Sequence, residues 1–571
     1  EQTGRMTRSV DCRSDVYSFG VTLYEIITGT LPFTFDDPLS MVHAHIALDP
    51  VPPHERDKRV PESVSAIILK LMEKSPENRY QSGRAIIDDL STLETSARTG
   101  IPTGDFRPGS TDMVETFNIP EKLYGRDPEQ QILLEEFERA SSGDMRLLIL
   151  SGPPGIGKSF LINELQKPLT QRRGYFFAGK FDQHKREIPY SAFIQALNQS
   201  VRQVLTEPED RLERMKARLD EQLGDNAWLL ADLAPEWQMV LGERPAISGL
   251  SPQEIRNRFN AAISGTIMAF TSRMHPVVLF LDDLQWADQA SITLLQHLMK
   301  NMNLRHFLLI GAYRAEETNA MHPLSIMFQK LRSENISWWR EYTMPPLPDS
   351  AVRSILADTL GRQTANLDEL ASVVRERTGS NPFFVKEFLL NLHERGLISF
   401  HSGWKLDLDG IRATSISTNI LGLLVDRIVR LDRITLEILK QMSAIGINTE
   451  SALLQHQLGC TEERLLAMIA PAIGEGLVIK QGEQFRFSHD RIHEAVYSLL
   501  QDQERVEAHH AIGEFLLQRA SGTELRDRLC DFRVAERLIG EETWQTDYRF
   551  MLEYQTEFSQ TEYLCGANAE A

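Results

Sequence analysis

Eight consecutive residues, Gly152-Pro153-Pro154-Gly155-Ile156-Gly157-Lys158-Ser159, have the spacing Gly-x-x-x-x-Gly-Lys-Ser. Each chemically distinctive type in it has a task in holding a polyphosphate. Gly152, Gly155 and Gly157 let the backbone turn its N–H groups inward around phosphate oxygens. Lys158 reaches toward the β- and γ-phosphates, and Ser159 offers a hydroxyl to Mg²⁺. Nucleotide contacts are expected along the whole run, Pro153, Pro154, Ile156 and Phe160 included. Two acids follow more than a hundred residues later, where the apolar run 277–281 ends in Asp282 and Asp283. Asp282 suits a hydrated Mg²⁺, directly or through its water, and Asp283 a place beside the γ-phosphate where a carboxylate orients attacking water. Arg314 ends a third apolar run, 307–313, and is placed to sense the γ-phosphate.

These residues need a scaffold that brings loop ends together. Apolar runs at 147–151, 175–178, 277–282 and 307–312 alternate with helical spacing at 190–205 and 289–302. That rhythm predicts a parallel sheet covered on both faces, with its ligand at the carboxyl ends of the strands. The glycines of the loop sit between such a strand and a helix whose N-terminal end favours anions. From about 349 onward strand signals fade and helical spacing dominates through 352–400 and 419–475. Arg505 to Leu517 and 543–564 read as paired amphipathic helices, a helical-repeat-like tail. Residues 91–120, rich in Thr, Ser, Gly and Pro, read as a linker.

At 571 residues the chain is too long for one core and predicts roughly four domains. Its apolar runs stay far below membrane-spanning length. Cys12, Cys460, Cys530 and Cys565 lack Cys-x-x-Cys spacing, which argues against a zinc site or a disulfide framework and for a reducing, cytoplasmic setting. A net charge of -19 makes nucleic acid an unfavourable partner, leaving nucleotide and proteins. Glu1 at the start, and a helix-like stretch at the end, read as a piece of something larger.

Leu123-Tyr124-Gly125-Arg126, the phosphate loop, 281–288 (Leu-Asp-Asp-Leu-Gln-Trp-Ala-Asp), Tyr313-Arg314 and Gly379-Ser380-Asn381-Pro382-Phe383-Phe384 together resemble the signature series of STAND ATPases. These are AAA-type signalling ATPases with numerous domains. The resemblance implies that Gly125 and Arg126 lie beside the adenine and that Pro382 packs on the base. It also implies a winged-helix domain, and His489 of the 485–490 stretch falls where relatives place a His-Asp motif on the nucleotide's phosphate. A His-Asp pair capping the next helix is the equal alternative. Asp283 departs from the Glu of many AAA-type hydrolases, and no second-sensor arginine or arginine finger stands out, which implies slow or partner-dependent hydrolysis.

Asp15-Val16-Tyr17-Ser18-Phe19-Gly20, then Gly29 to Phe33, then Pro76-Glu77-Asn78-Arg79-Tyr80-Gln81-Ser82 resemble the C-terminal half of a Ser/Thr protein kinase. That resemblance implies a Glu1–Arg79 ion pair and a scaffolding role for Asp15. The Gly-rich loop, strand lysine, His-Arg-Asp and Asp-Phe-Gly that phosphoryl transfer needs do not occur in these residues. The kinase N-lobe and catalytic loop would belong to a parent chain.

The fold class read from all this is multidomain α/β and α. It comprises a kinase C-lobe fragment at 1–96, a linker at 97–120 and a P-loop AAA/STAND-type ATPase domain at 121–348. A helical domain at 349–428, a winged-helix-like domain at 429–500 and the start of a repeat-like tail at 501–571 follow. The implied function is an ATP/ADP- and Mg²⁺-dependent switch in signal transduction, with protein partners and a nucleotide-dependent homo-oligomer. Three alternatives stand beside it. The region could be a scaffold with structural nucleotide, the regulatory part of a Ser/Thr and histidine kinase of the hybrid type, or a nucleotide-controlled DNA-binding regulator.

Overall fold

The computed structural model describes residues 13–512, apart from 36–40, 42–43, 46–47, 100–105, 110–116, 121, 183–188, 206–208, 232–234, 246, 248–249, 302, 320, 335–336, 362, 402, 414–419, 502, 506–507 and 509–511. The chain divides into two units. One comprises Glu1–Leu134, Phe160–Gly174 and Pro346–Ser415, the other Glu135–Ser159, Tyr175–Pro345 and Ile416–Ala571. No helix among the described residues is long and apolar enough to cross a membrane.

The second unit is built on a five-stranded sheet of β1 (Met145–Ser151), β2 (Tyr175–Lys180), β3 (Val277–Asp282), β4 (Phe307–Tyr313) and β5 (Trp339–Thr343), in the order β2-β3-β4-β1-β5. Every pairing is parallel. The central strands are near-continuous Leu, Ile, Val and Phe because both faces are covered. Register sets Lys180 beside Asp282 and Ser151 beside Tyr313, so the carboxyl ends form one edge. The fifth strand was not among the apolar runs. Trp339-Arg340-Glu341-Tyr342-Thr343 is only half-buried, an edge strand paired to β1 alone.

Between β2 and β3 the chain inserts helices including Ser191–Val204, Glu209–Leu223 and Pro252–Phe270. Their apolar faces, with Phe193, Leu219, Trp237 and Phe270, share one core with the sheet. The helix Pro252–Phe270 begins at a capping box, Ser251 and Glu254 bonding each other's backbone N–H. Gly179 of β2 is required by close approach, since a Cβ there would lie 1.9 Å from the Ala192 carbonyl oxygen.

The same unit holds a winged helix. Helices Arg433–Ile445, Ser451–Leu458 and Glu462–Gly474 surround an antiparallel sheet of Asn448–Glu450, Gln484–Phe487 and Val478–Gln481, and helix Asp490–Ser498 follows. Asp432 starts the first helix by accepting the N–H groups of Ile434 and Thr435. Leu439, Met442, Leu465, Ile469, Phe485 and Phe487 fill the interior.

In the first unit, the kinase-like motifs lie on helix Arg13–Thr28, just after it, and in the segment joining helices Glu62–Leu71 and Gly83–Thr99. Arg79 is buried and donates to the carbonyls of Glu73, Arg13 and Lys74, with Tyr17 against its guanidinium. Glu1, its expected partner, lies outside the described residues. The stretch 97–120, expected to be a linker, is partly built into the fold. Helix Gly83–Thr99 runs into it, Phe106 packs against the cluster of Ile67, Leu71 and Tyr80, and Gly109 donates its N–H to Asp89. The same unit contains helices Asp349–Leu360, Leu367–Thr378 and Pro382–Glu394 and the hairpin Ile398–Phe400/Trp404–Leu406. Nearly all of the expected repeat-like tail lies outside the described residues.

Candidate nucleotide site

Gly152, Gly155 and Gly157 have φ of 155°, 79° and 98°, values that residues with a Cβ rarely adopt. The loop they shape runs from the carboxyl end of β1 to helix Lys158–Asn163. Lys158 is buried, and its Nζ donates to the carbonyl oxygens of Gly152 at 2.8 Å and Pro153 at 3.3 Å. Burial lowers its pKa, and Asp282 and Asp283 act against that fall. Ser159 Oγ donates to Asp282 Oδ2 at 2.8 Å, joining the loop to the end of β3. A hydroxyl and a carboxylate in contact are hard oxygen donors of the kind Mg²⁺ takes alongside phosphate and water. The donor set and the glycine-shaped loop therefore fit a magnesium nucleotide.

Asp283 adopts left-handed φ and ψ of 54° and 44°, tolerated by Asp but uncommon outside functional turns. It is 2% exposed. Oδ1 accepts from Gln285 Nε2 at 2.8 Å and faces Arg314 Nε at 3.2 Å. Oδ2 receives no hydrogen bond among the described residues and has Lys180 Nζ at 3.3 Å. Burial, with Asp282 beside it, pushes the carboxyl up to about 6 against the pull of Lys180. Gln285 also accepts the Arg314 N–H at 3.1 Å, so one buried amide sets both the acid and the strand end.

Arg314 is enclosed by four carboxylates. Asp283 lies at 3.2 Å, Glu317 at 2.9 Å, Glu494 at 3.1 Å and Asp490 at 3.4 Å, and the Trp286 ring lies under the guanidinium. Burial works against its charge, yet these acids raise its pKa above the ordinary arginine value. Lys180 Nζ meets Asp490 Oδ2 at 2.5 Å. Its pKa is also raised, because Asp490, Asp282 and Asp283 outweigh burial. Burial pushes the Asp490 carboxyl up, but Lys180, His489 and Arg314 hold it below the usual carboxylate range. The first helical turn of Asp490–Ser498 is thus tied to the carboxyl ends of β2 and β4.

His489 is the N-cap of that helix, and its Nδ1 accepts the Arg491 N–H at 3.1 Å. Its neighbour Asp490 makes the contacts to Lys180 and Arg314. Of the predicted residues, 152–159, Asp282, Asp283, Arg314 and His489 belong to this unit; Gly125, Arg126, Phe160 and Pro382 belong to the other. There Gly125, at φ 58°, leaves a Cβ position 2.6 Å from Ala351 Cβ and 2.8 Å from Pro348 Cγ. Leu347 donates its N–H to Ser380, and Asn381 caps the helix that Pro382 begins. Segment 347–348 thereby brings Gly125 and the Ser380–Pro382 turn together. Arg126 is buried against Glu129 at 3.2 Å.

Sequence reasoning assigned nothing to Lys180, Gln285 or Glu494, and Asp490 entered it only as the second residue of the His-Asp pair. The His489-Asp490 pair and the closeness of Gln285 to the two acids are the signals that pointed at any of them.

The model of the AAA ATPase domain family matches residues 122–310, and that of the protein tyrosine and serine/threonine kinase family matches residues 5–89. The chain carries an AAA ATPase domain behind a protein-kinase fragment. The match over 122–310 implies nucleotide binding. Over 565 residues the chain is 27% identical to hybrid signal transduction histidine kinase G of Dictyostelium discoideum, covering 84% of this chain and 16% of that protein. Over 87 residues it is 46% identical to a probable serine/threonine-protein kinase of Clostridium acetobutylicum, covering 15% of this chain and 13% of that one. The chain therefore spans about a sixth or less of the length of these relatives. Among solved structures, a Signal Transduction ATPase with Numerous Domains carrying a tetratricopeptide repeat sensor, from Pyrococcus horikoshii, aligns with a TM-score of 0.41 at 14% identity. The alignment covers 78% of this chain and 54% of that one.

Proposed function

We propose that this chain is the nucleotide-operated switch of a cytoplasmic signalling protein of the STAND type, binding ATP or ADP with Mg²⁺ at 152–160, Asp282 and Asp283. The observation that carries the reading is the 2.8 Å contact between Ser159 and Asp282, across 123 positions of sequence, at the mouth of a glycine-shaped loop. Bound magnesium nucleotide supplies the phosphoanhydride and the divalent charge. Lys158 brings its ammonium to the phosphates, Ser159 and Asp282 hold the metal, and Asp283 orients water and accepts its proton. Arg314 reports the state of that chemistry to the winged helix through Asp490 and Glu494. Resemblance alone speaks for Gly125, Arg126 and Pro382 at a base, and the reading does not draw on them.

His489 caps its helix in this reading, so phosphate recognition is not needed to explain it. The DNA-regulator alternative loses support from helix Glu462–Gly474, which opens on Glu462 and Glu463 and has no basic residue in its last turn. Protein-kinase activity, on Ser/Thr or His, is assigned to a longer parent for which this region is regulatory. The test is nucleotide retention. Purified wild-type protein should co-elute with ATP or ADP and Lys158→Ala protein with none; equal nucleotide in both defeats the assignment. Multiple-turnover phosphate release then separates a switch that hydrolyses from a scaffold that holds ADP.

A further inference from the structure

Lys180 stands at the last position of β2, and the fold goes to some length to fix it there. Gly179 before it lets the start of helix Ser191–Val204 press against the strand, its missing Cβ leaving room for the Ala192 carbonyl. The Lys180 N–H is itself held by Gln195 Oε1 at 2.8 Å, and Phe181 after it is buried. From this anchored backbone the ammonium reaches two carboxylates of different kinds. Asp490 Oδ2, from the winged-helix end of the unit, lies at 2.5 Å, and Asp283 Oδ2, from the end of β3, lies at 3.3 Å. The closer partner belongs to helix Asp490–Ser498, the farther one to the turn after β3.

We propose that Lys180 is a positioning residue shared between docking and chemistry: it holds the winged helix through Asp490, and when Asp490 withdraws it closes on Asp283 and fixes that carboxylate for water orientation. The inference rests on the hydrolytic role given to Asp283 above. Arg314 does not duplicate this function. Arg314 already has Asp283 at 3.2 Å, Asp490 is the most distant of its four acids, and in Asp490→Asn protein Glu317 and Glu494 still neutralise it. An ammonium with three donors and two acid partners instead redistributes toward the acid that stays.

The test is a double-mutant cycle on steady-state phosphate release by the full 571-residue chain with Mg²⁺ and ATP. Asp490→Asn should raise kcat about fivefold, the low end of ordinary coupling between sites, with KM unchanged. The same substitution made in a Lys180→Met background should leave kcat where Lys180→Met alone sets it, because no ammonium remains to be passed on. Lys180→Arg keeps the charge and should preserve the response, which separates a folding defect from loss of the shared cation. An equal factor in both backgrounds overturns the role of Lys180 and leaves the hydrolytic reading intact. Absence of phosphate release from every protein, with Lys158-dependent ADP binding retained, overturns the hydrolytic reading and this role with it.

Discussion

The capping role of His489 predicts a specific acid sensitivity. The cap needs Nδ1 as an acceptor for the Arg491 N–H, and an imidazolium has no acceptor, so protonation removes it. Burial pulls His489 from 6.5 down to about 4, with Asp490 pulling the other way. The unfolded chain therefore takes up a proton near 6.5 and the folded chain only near 4. Stability is complete above the unfolded value and is lost as pH falls toward the folded one. The whole interval is worth about 3 kcal/mol, and the ring is partly exposed, so the loss by about pH 5 is set at about 1–2 kcal/mol. His489→Asn supplies an equally good cap that does not titrate. Wild type and variant should melt together at about pH 7.5, and at about pH 5 the variant should melt about 2–5 °C higher. Thermal melts of nucleotide-free protein across this range give the difference, in which all shared titrating groups cancel. Parallel curves refute the cap. A variant that melts like wild type at every pH but no longer binds nucleotide moves His489 to the phosphate.

Three further substitutions test other parts of the structure. Asp283→Asn should keep nucleotide bound and lower phosphate release by about 100-fold or more, measured under multiple turnover, since an amide orients water but takes no proton. Gly179→Ala should cost about 3 kcal/mol in denaturant unfolding, because its methyl would meet the Ala192 carbonyl backbone at 1.9 Å. Arg146→Met leaves the fully buried Glu136 without its 2.6 Å partner and should destabilise by about 3–5 kcal/mol, whereas adding Glu136→Leu should recover most of the loss in the same melts.

The phosphate loop and the central strands were legible because their signals are local. Gly152 to Ser159 is a contiguous pattern, and β1, β3 and β4 are apolar runs that parallel burial demands. The edge strand β5 was not legible, because half-burial leaves Trp339-Arg340-Glu341-Tyr342 with no apolar run, and Arg340 and Glu341 are tied by ion pairs to Glu135 and Arg332. Composition misled at 97–120 for a related reason. Gly and Pro there read as a linker, but Phe106 finds an apolar cluster and Gly109 finds Asp89, contacts that depend on the fold of earlier helices.

The ionic contacts around Arg314 could not be read at all, since 61 basic and 80 acidic side chains offer far too many pairings and Lys180 and Asp490 are 310 positions apart. Yet these contacts bear directly on how the site works. Arg314 directly follows β4, where a γ-phosphate sensor was expected, and it is held by two acids of the sheet's own loops, Asp283 and Glu317, and two of the winged-helix end, Asp490 and Glu494. A guanidinium so surrounded has few donors left for a ligand, and only withdrawal of helix Asp490–Ser498 returns half of its partners' charge. The same withdrawal releases Lys180. On the proposed function, sensing and hydrolysis would both be limited by one docking equilibrium, a physical cause for slow or partner-dependent hydrolysis that does not require the absent second-sensor arginine.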